Sequence, residues 1–102
     1  MVKFEKQSGH TLRFTVVNTG HTPIIVNRDA VTLRTPTLEL ARVPGGRRSF
    51  WIVKAGERRL VICRFDMSGL AEGETVELML NDALVSEGQA IAANPVRFVV
   101  GS

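Results

Sequence analysis

With 102 residues, 44% hydrophobic and 23% charged side chains, the chain has the size and composition of one soluble globular domain. No apolar run approaches the roughly 18 residues of a membrane span, and residues 1–9 lack the apolar region of a signal peptide. The lone Cys63 cannot form an internal disulfide. We therefore expect a single domain, residues 1–102, with no membrane span.

Short segments in which apolar and polar residues alternate predict β-strands along the whole chain. The clearest are residues 12–17 and 76–80, where every second side chain is apolar. Further segments of strand character recur at intervals of about ten residues: 2–5, 24–26, 31–33, 38–41, 50–53, 60–65 and 96–100. Residues 83–85 extend another strand, and residues 90–93 form either loop or a helical turn. These roughly seven to nine short strands predict an all-β fold, an antiparallel immunoglobulin-like β-sandwich.

Residues 50–80 are predicted to form the centre of this fold, because three strands follow one another there with short turns between them. Ala55-Gly56 is expected to turn residues 50–53 back onto residues 60–63 as a hairpin. Residues 24–26 are expected to be covered on both faces, as in a central strand. Together with residues 50–53 and 60–65 they carry more apolar surface than a small two-layer core requires, which predicts self-association.

Two stretches resemble known families of β-sandwich domains. Residues 68–76 (SGLAEGETV) resemble the corner before the penultimate strand of fibronectin type III domains, with Glu72 and Val76 at the places of its Pro and Tyr. Residues 12–23 (LRFTVVNTGHTP), with Ala55-Gly56-Glu57, are similar to immunoglobulin-like accessory domains of bacterial and archaeal surface proteins and of pilus-assembly chaperones. The resemblance implies a sandwich used for recognition, spacing or assembly, in an extracellular or cell-surface setting.

Catalytic, metal and cofactor sites are not predicted. A catalytic nucleophile needs an adjacent base, whereas Cys63 lies within an apolar strand, where a free thiol usually behaves as a small buried hydrophobe. His10 and His21 bracket one strand and so cannot share a metal ion within one chain. We therefore expect a protein that is not an enzyme and uses no cofactor.

Basic residues are concentrated in the first part of the chain. Residues 1–60 carry eleven Lys or Arg and four Asp or Glu, whereas residues 61–102 carry two and six. Arginines flank the strand that contains Phe50 and Trp51, and we expect both aromatic side chains to fill the core, with a surface anchor as the alternative for Trp51. The predicted interaction surface comprises Arg47, Arg48, Trp51, Arg58 and Arg59.

Two functional hypotheses follow from these patterns. The first is a non-catalytic module that binds or spaces another protein, through either an edge strand or an apolar face rimmed by arginine. The alternative is nucleic-acid or polyanion binding through the arginine-rich loops around residues 42–59. A protein partner and a homo-oligomer are expected under the first hypothesis.

Overall fold

The computed structural model describes residues 1–43 and 49–101, and their regular structure is β-strand with a single 3₁₀ turn, Arg28–Ala30. The strands are β1 (Val2–Ser8), β2 (Thr11–Val17), β3 (Ile24–Asn27), β4 (Thr32–Arg34), β5 (Glu39–Ala41), β6 (Phe50–Val53), β7 (Arg58–Arg64), β8 (Thr75–Met79), β9 (Leu84–Ser86), β10 (Gln89–Ala90) and β11 (Val96–Val99). The all-β prediction is thereby confirmed.

The strands form three antiparallel sheets, with the orders β1-β2-β7, β11-β8-β4-β5 and β10-β9-β3-β6. The 3₁₀ turn separates β3 from β4, at the place where a turn is predicted between residues 24–26 and 31–33. The number of strands exceeds the prediction because a tight turn adds the β9–β10 hairpin where a helical turn was the alternative. Glu87 and Gly88 adopt positive φ angles of 52° and 76° in that turn, as a two-residue type I′ hairpin requires.

The three strands of residues 50–80 do not form one sheet. β6 pairs with β3, β7 pairs with β2, and β8 pairs with β4 and β11. The predicted hairpin between residues 50–53 and 60–63 is therefore wrong. Each strand finds its partners elsewhere in the sequence, because inward-facing apolar residues can be buried only against another layer of the fold.

One core is shared by all three sheets. Leu12 and Phe14 of β2 lie opposite Cys63 and Val61 of β7, and all four side chains are buried. The same cluster contains the following residues from the other two sheets: Val26, Leu33, Val53, Val76, Leu78 and Phe98. Along β2 and from Leu60 to Arg64 of β7 the buried positions alternate with more exposed ones, so the period of two seen in the sequence there is the period of burial.

Two further contacts join strands and loops at the periphery of the fold. The Phe4 and Phe98 rings stack with centroids 4.7 Å apart and so join β1 to β11. At the other margin lies Asn18, which is 2% exposed. Its backbone N–H donates a hydrogen bond to Glu57 O, and its backbone carbonyl accepts one from Gly56 N. The two stretches that carry the immunoglobulin-like resemblance are thus in direct contact.

Candidate functional site

β6 and β7 are consecutive in the chain but diverge into different sheets. The turn between them is closed by a hydrogen bond from Glu57 N to Lys54 O (3.0 Å), and Gly56 adopts a φ of 77°. A left-handed conformation of this kind is accessible to glycine at little cost. Beyond the turn no ladder joins the two strands within the described residues, so each presents one unpaired edge.

Arginine side chains bridge these two edges. In the β2–β7 ladder, the backbone groups of alternate residues point towards β2, and those of the residues between point away from it. Ile62 belongs to the second set, and its carbonyl accepts a hydrogen bond from Arg28 Nη1 (2.8 Å). On the facing strand, the Ile52 carbonyl accepts one from Arg59 Nη1 (3.0 Å). Arginine side chains therefore satisfy carbonyl groups that backbone hydrogen bonds would satisfy if β6 and β7 were paired in a ladder.

Trp51 lies between these two arginines. The guanidinium carbon of Arg59 is 4.8 Å from the centroid of the indole, and that of Arg28 is 5.6 Å away. Both distances are within the range of a cation–π interaction. The indole is half-buried against the core, and its Nε1 is buried with no hydrogen-bond partner among the described residues. Trp51 thus has the contacts of a core residue that also fills the gap between two sheets.

The outward surfaces of β3, β6 and β7 carry a group of large apolar side chains. We call this group the outer apolar face; its members are Ile25, Phe50, Ile52, Leu60 and Ile62. Each exposes between 41% and 59% of its surface. Ile25 and Ile52 are register partners in the β3–β6 ladder, and Leu60 and Ile62 occupy alternate positions of β7. Phe50 and Ile25, expected in the core, therefore point to solvent.

Arginines border the outer apolar face. Arg58 and Arg64 occupy outward positions of β7, and Arg13 of β2 lies opposite Ile62. None of these three arginines forms an ion pair within residues 1–43 and 49–101. The outward positions of β2, β3, β6 and β7 include no Asp or Glu.

A shallow groove of about 430 Å³ adjoins the face on the outer side of β1, β2 and β7. Its lining includes Arg13, Arg58 and Leu60, together with Lys3 and Glu5 of β1. The face thus continues into a depression in which three of the four charged side chains are basic.

The predicted interaction residues are only partly brought together. Arg58 lies beside the outer apolar face, whereas Arg59 turns inward over Trp51. Arg47 and Arg48 lie outside the described residues. Sequence reasoning missed two arginines of the border: Arg13, which is distant from residues 42–59 in the chain, and Arg64, which lies at the far end of the strand that begins at Arg58. The alternation in residues 12–17 and 60–64, which assigns both arginines to outward positions, is the signal that could have found them.

A larger cavity of about 620 Å³ adjoins the other end of the face, where Ile62 and Arg64 contribute to its lining. The lining also includes His10, Cys63, Arg42 and Asp66. Burial raises the pKa of the Cys63 thiol to about 11, so the sulfur is protonated near neutral pH. His10 Nδ1 accepts a hydrogen bond from Met67 N (2.9 Å), and no hydrogen bond joins His10 to Cys63 in the described part of the chain. The pair therefore lacks the contact by which a base activates a nucleophile.

The rim of this cavity is held by an ion pair. Arg42 donates hydrogen bonds from Nε (3.1 Å) and Nη2 (2.6 Å) to Asp29 Oδ1. The bond from Arg42, with a second bond from Ser49, keeps the pKa of Asp29 below its usual value. Because the Asp29 carboxylate offsets the charge of Arg42, this arginine adds less positive potential to the cavity than an arginine without an acidic partner would.

Within residues 1–43 and 49–101, no group of three or more His, Cys, Asp or Glu side chains could hold a metal ion. The same part of the chain contains no helix of the length and apolarity required to cross a bilayer. Comparison with family models, curated proteins and solved structures finds no match to this chain. The fold and the surface define an all-β protein with an exposed apolar face bordered by arginine.

Proposed function

We propose that this protein is a non-catalytic interaction module of immunoglobulin-like type, which binds or spaces another protein within a surface or secreted assembly. The strand order supports the immunoglobulin-like part of the proposal. β1-β2-β7 follows the order of the first, second and fifth strands of such domains, and β11-β8-β4 that of the seventh, sixth and third. Inward residues of both sheets contribute to one core, as in two packed layers.

The observation that carries the interaction proposal is the outer apolar face. Five large apolar side chains are exposed together on three strands, although a monomeric surface usually scatters such residues singly. Transfer of apolar surface from water gains about 25 cal/mol per Å², so covering this face supplies a driving force for association. The strands that carry the face are anchored in the core by Val26, Val53 and Val61, which are fully buried.

Site-specific photo-crosslinking in the source cells tests this proposal. A photoreactive phenylalanine analogue replaces Ile52 in one variant, and Val99, an exposed residue of β11, in a control variant. We expect protein adducts from position 52 only. The adduct is identified by mass spectrometry, and the purified partner must bind the wild type at least tenfold more tightly than Ile52→Ser. Adducts of equal yield from both positions, or none at position 52, would contradict the proposal.

Polyanion binding remains a second candidate, favoured by the absence of ion pairs at Arg13, Arg58 and Arg64 in the described part of the chain. The shortage of exposed aromatic residues for base stacking counts against it, since Phe50 is the one aromatic side chain of the outer apolar face. Fluorescence anisotropy with labelled dT20 at several salt concentrations tests it. Affinity that falls steeply with salt would support it, whereas a flat salt dependence would eliminate it.

A further inference from the structure

We infer that the outer apolar face receives an acidic segment of a different protein, in which apolar side chains alternate with carboxylates. This inference rests on the proposed function and specifies the chemistry of its partner. It follows from the charges that surround the face, from the groove beside Leu60, and from the unfavourable electrostatics of pairing the face with itself.

The charges that border the face are mainly positive. Arg13, Arg58 and Arg64 occupy outward positions, and the outward positions of β2, β3, β6 and β7 include no acidic residue. The nearest carboxylates are Glu5, which lines the groove, and Asp66, which lines the cavity beside Arg64. Charged groups at the rim of an interface chiefly set partner choice and association rate, because like charges brought together repel and opposite charges attract. A partner with carboxylates around an apolar centre can cover the apolar side chains of the face and also pair with its arginines.

The shape of the surface favours a partner segment in extended conformation. The outward residues of a strand stand two positions apart, so Leu60 and Ile62 present apolar side chains at the spacing of alternate residues. The shallow groove beside them has Leu60 on its floor with Arg58 and Arg13 in its lining. A segment with the same alternation can therefore place apolar side chains on the face while its acidic side chains reach the arginines.

A second copy of the chain is the less suitable occupant. In a symmetric pair each copy presents the same surface patch, so three unpaired arginines of one copy would approach three of the other. The arginines of the two copies would repel each other when they approach within about one Debye length, which is roughly 10 Å at 0.1 M salt and longer at lower salt. Only Glu5 in the groove and Asp66 in the cavity lie near these arginines, while other acidic residues, such as Glu77 on β8, lie on other surfaces.

Binding of three designed peptides tests this inference with the full-length protein. Each has twelve residues in which Leu and Val occupy alternate positions; the remaining positions are Glu, Lys or Ser. By fluorescence anisotropy at 0.05 M NaCl, we expect the Glu peptide to bind at least tenfold more tightly than the Lys peptide, with the Ser peptide between them. Amide chemical shifts in a ¹⁵N spectrum should change at the outer apolar face, and binding of the Glu peptide should weaken severalfold at 0.5 M NaCl.

Two matched double variants separate local charge from net charge. Arg58→Gln with Arg64→Gln should weaken binding of the Glu peptide at least threefold. Arg34→Gln with Arg97→Gln removes the same net charge from the side of the molecule where both residues pair with Glu77, and should leave the affinity unchanged. Ile52→Ser should weaken binding at least tenfold, and near-native thermal melting of each variant verifies that it folds.

Several results would overturn the inference. They are absence of binding by all three peptides, equal or tighter binding of the Lys or Ser peptide, and shift changes confined to another surface. Exclusive binding to dT20 or to vesicles containing anionic phosphatidylglycerol would also overturn it, in favour of a nucleic acid or a membrane. If photo-crosslinking from Ile52 captures a validated protein partner while the Glu peptide shows no preference, the proposed function stands and the acidic-partner inference fails.

Discussion

Asn18 connects segments that are far apart in the chain. Its side-chain Nδ2 donates hydrogen bonds to Thr22 O (2.8 Å) and to Val53 O (3.0 Å), in addition to the backbone bonds with residues 56 and 57. A buried carbonyl that loses its donor bears the full cost of desolvation, about 1–3 kcal/mol. The side chain of Asn18 thus stabilises the approach of β2 to β6 at the point where β6 and β7 separate.

We expect Asn18→Asp to destabilise the protein by about 3 kcal/mol at neutral pH, because the shape is kept while both donors are lost and a charge is buried. Urea unfolding followed by circular dichroism measures the change. Thr19→Ala, at the exposed neighbouring position, should change the free energy of unfolding by less than about 0.5 kcal/mol. Equal stability of Asn18→Asp and the wild type would show that the carboxamide bonds are dispensable.

Cys63 is expected to make stability depend on alkaline pH. Burial raises its pKa from 9.0 to about 11, so the folded state retains a proton that the unfolded state releases first. The contribution of the protonated Cys63 thiol to the free energy of unfolding is fully present below pH 9 and is lost as pH rises from 9 to 11. The loss amounts to about 2–3 kcal/mol. Urea unfolding at several pH values should show a shallower decline for Cys63→Ala than for the wild type. Parallel declines would contradict this assignment.

At the scale of elements, the bridge between β6 and β7 is the least regular part of the fold. Arg59 contributes both a hydrogen bond to the Ile52 carbonyl and a cation contact with Trp51. Such contacts are individually modest, at about 0.5–1.5 kcal/mol for the hydrogen bond and 0.5–1 kcal/mol for the cation–π contact. They are nevertheless direct links between two strand edges that no ladder joins.

We therefore expect Arg59→Met to lower the free energy of unfolding by about 1–2 kcal/mol and to shift the emission of Trp51, the only tryptophan, to longer wavelength. Arg58→Met is the matched control, because Arg58 is adjacent, exposed and without an ion pair among the described residues. It should change stability by less than about 0.5 kcal/mol. If the two variants behave alike, the bridge does not stabilise the fold.

The sequence predicts individual strands much better than it predicts their partners. Alternation in residues 12–17 and 76–80 identifies both strands and their buried faces, because burial on one face is a local pattern. The pairing of residues 50–53 is not local. Ala55-Gly56 has the chemistry of a hairpin turn, yet β6 pairs with β3, and that choice depends on Val26 and Val53 being buried together in the core.

At the scale of the whole molecule, the outer apolar face and its arginines have opposite effects on self-association. Apolar contact favours pairing of two copies, while the repulsion between Arg13, Arg58 and Arg64 opposes it. Salt screens the repulsion and leaves the apolar attraction in place. The oligomeric state should therefore respond to ionic strength in the direction opposite to that of an interface held by ion pairs.

In sedimentation velocity at high protein concentration, we expect a monomer at 0.05 M NaCl and an increased fraction of dimer at 0.5 M NaCl. Ile52→Ser should abolish the increase, whereas Val99→Ser, which removes an exposed apolar side chain of β11, should preserve it. A dimer that dissociates when salt is added would indicate that ion pairs hold it and would contradict this description of the face.

The candidate site could be predicted only in part, for a reason that belongs to the whole fold. Arg58 was singled out because it lies in an arginine-rich segment of the sequence, whereas Trp51 of the same segment turns inward. Ile25 joins the site through the β3–β6 ladder and Arg13 through the β2–β7 ladder, and both ladders connect positions tens of residues apart. Surface residues from different strands form one patch only once the register is known, and register is a tertiary property.

The placement of β6 and β7 in separate sheets has a consequence for biosynthesis. The β1-β2-β7 sheet can be complete once residue 64 has left the ribosome, but the residues of β8 and β11 that cover its inner surface are made later. Until then only β4 and β5 of the β11-β8-β4-β5 sheet are available to cover Leu12, Phe14 and Val61. A nascent or truncated chain that stops before β8 should therefore aggregate or occupy a chaperone, because uncovered apolar strands are the usual origin of misassembly.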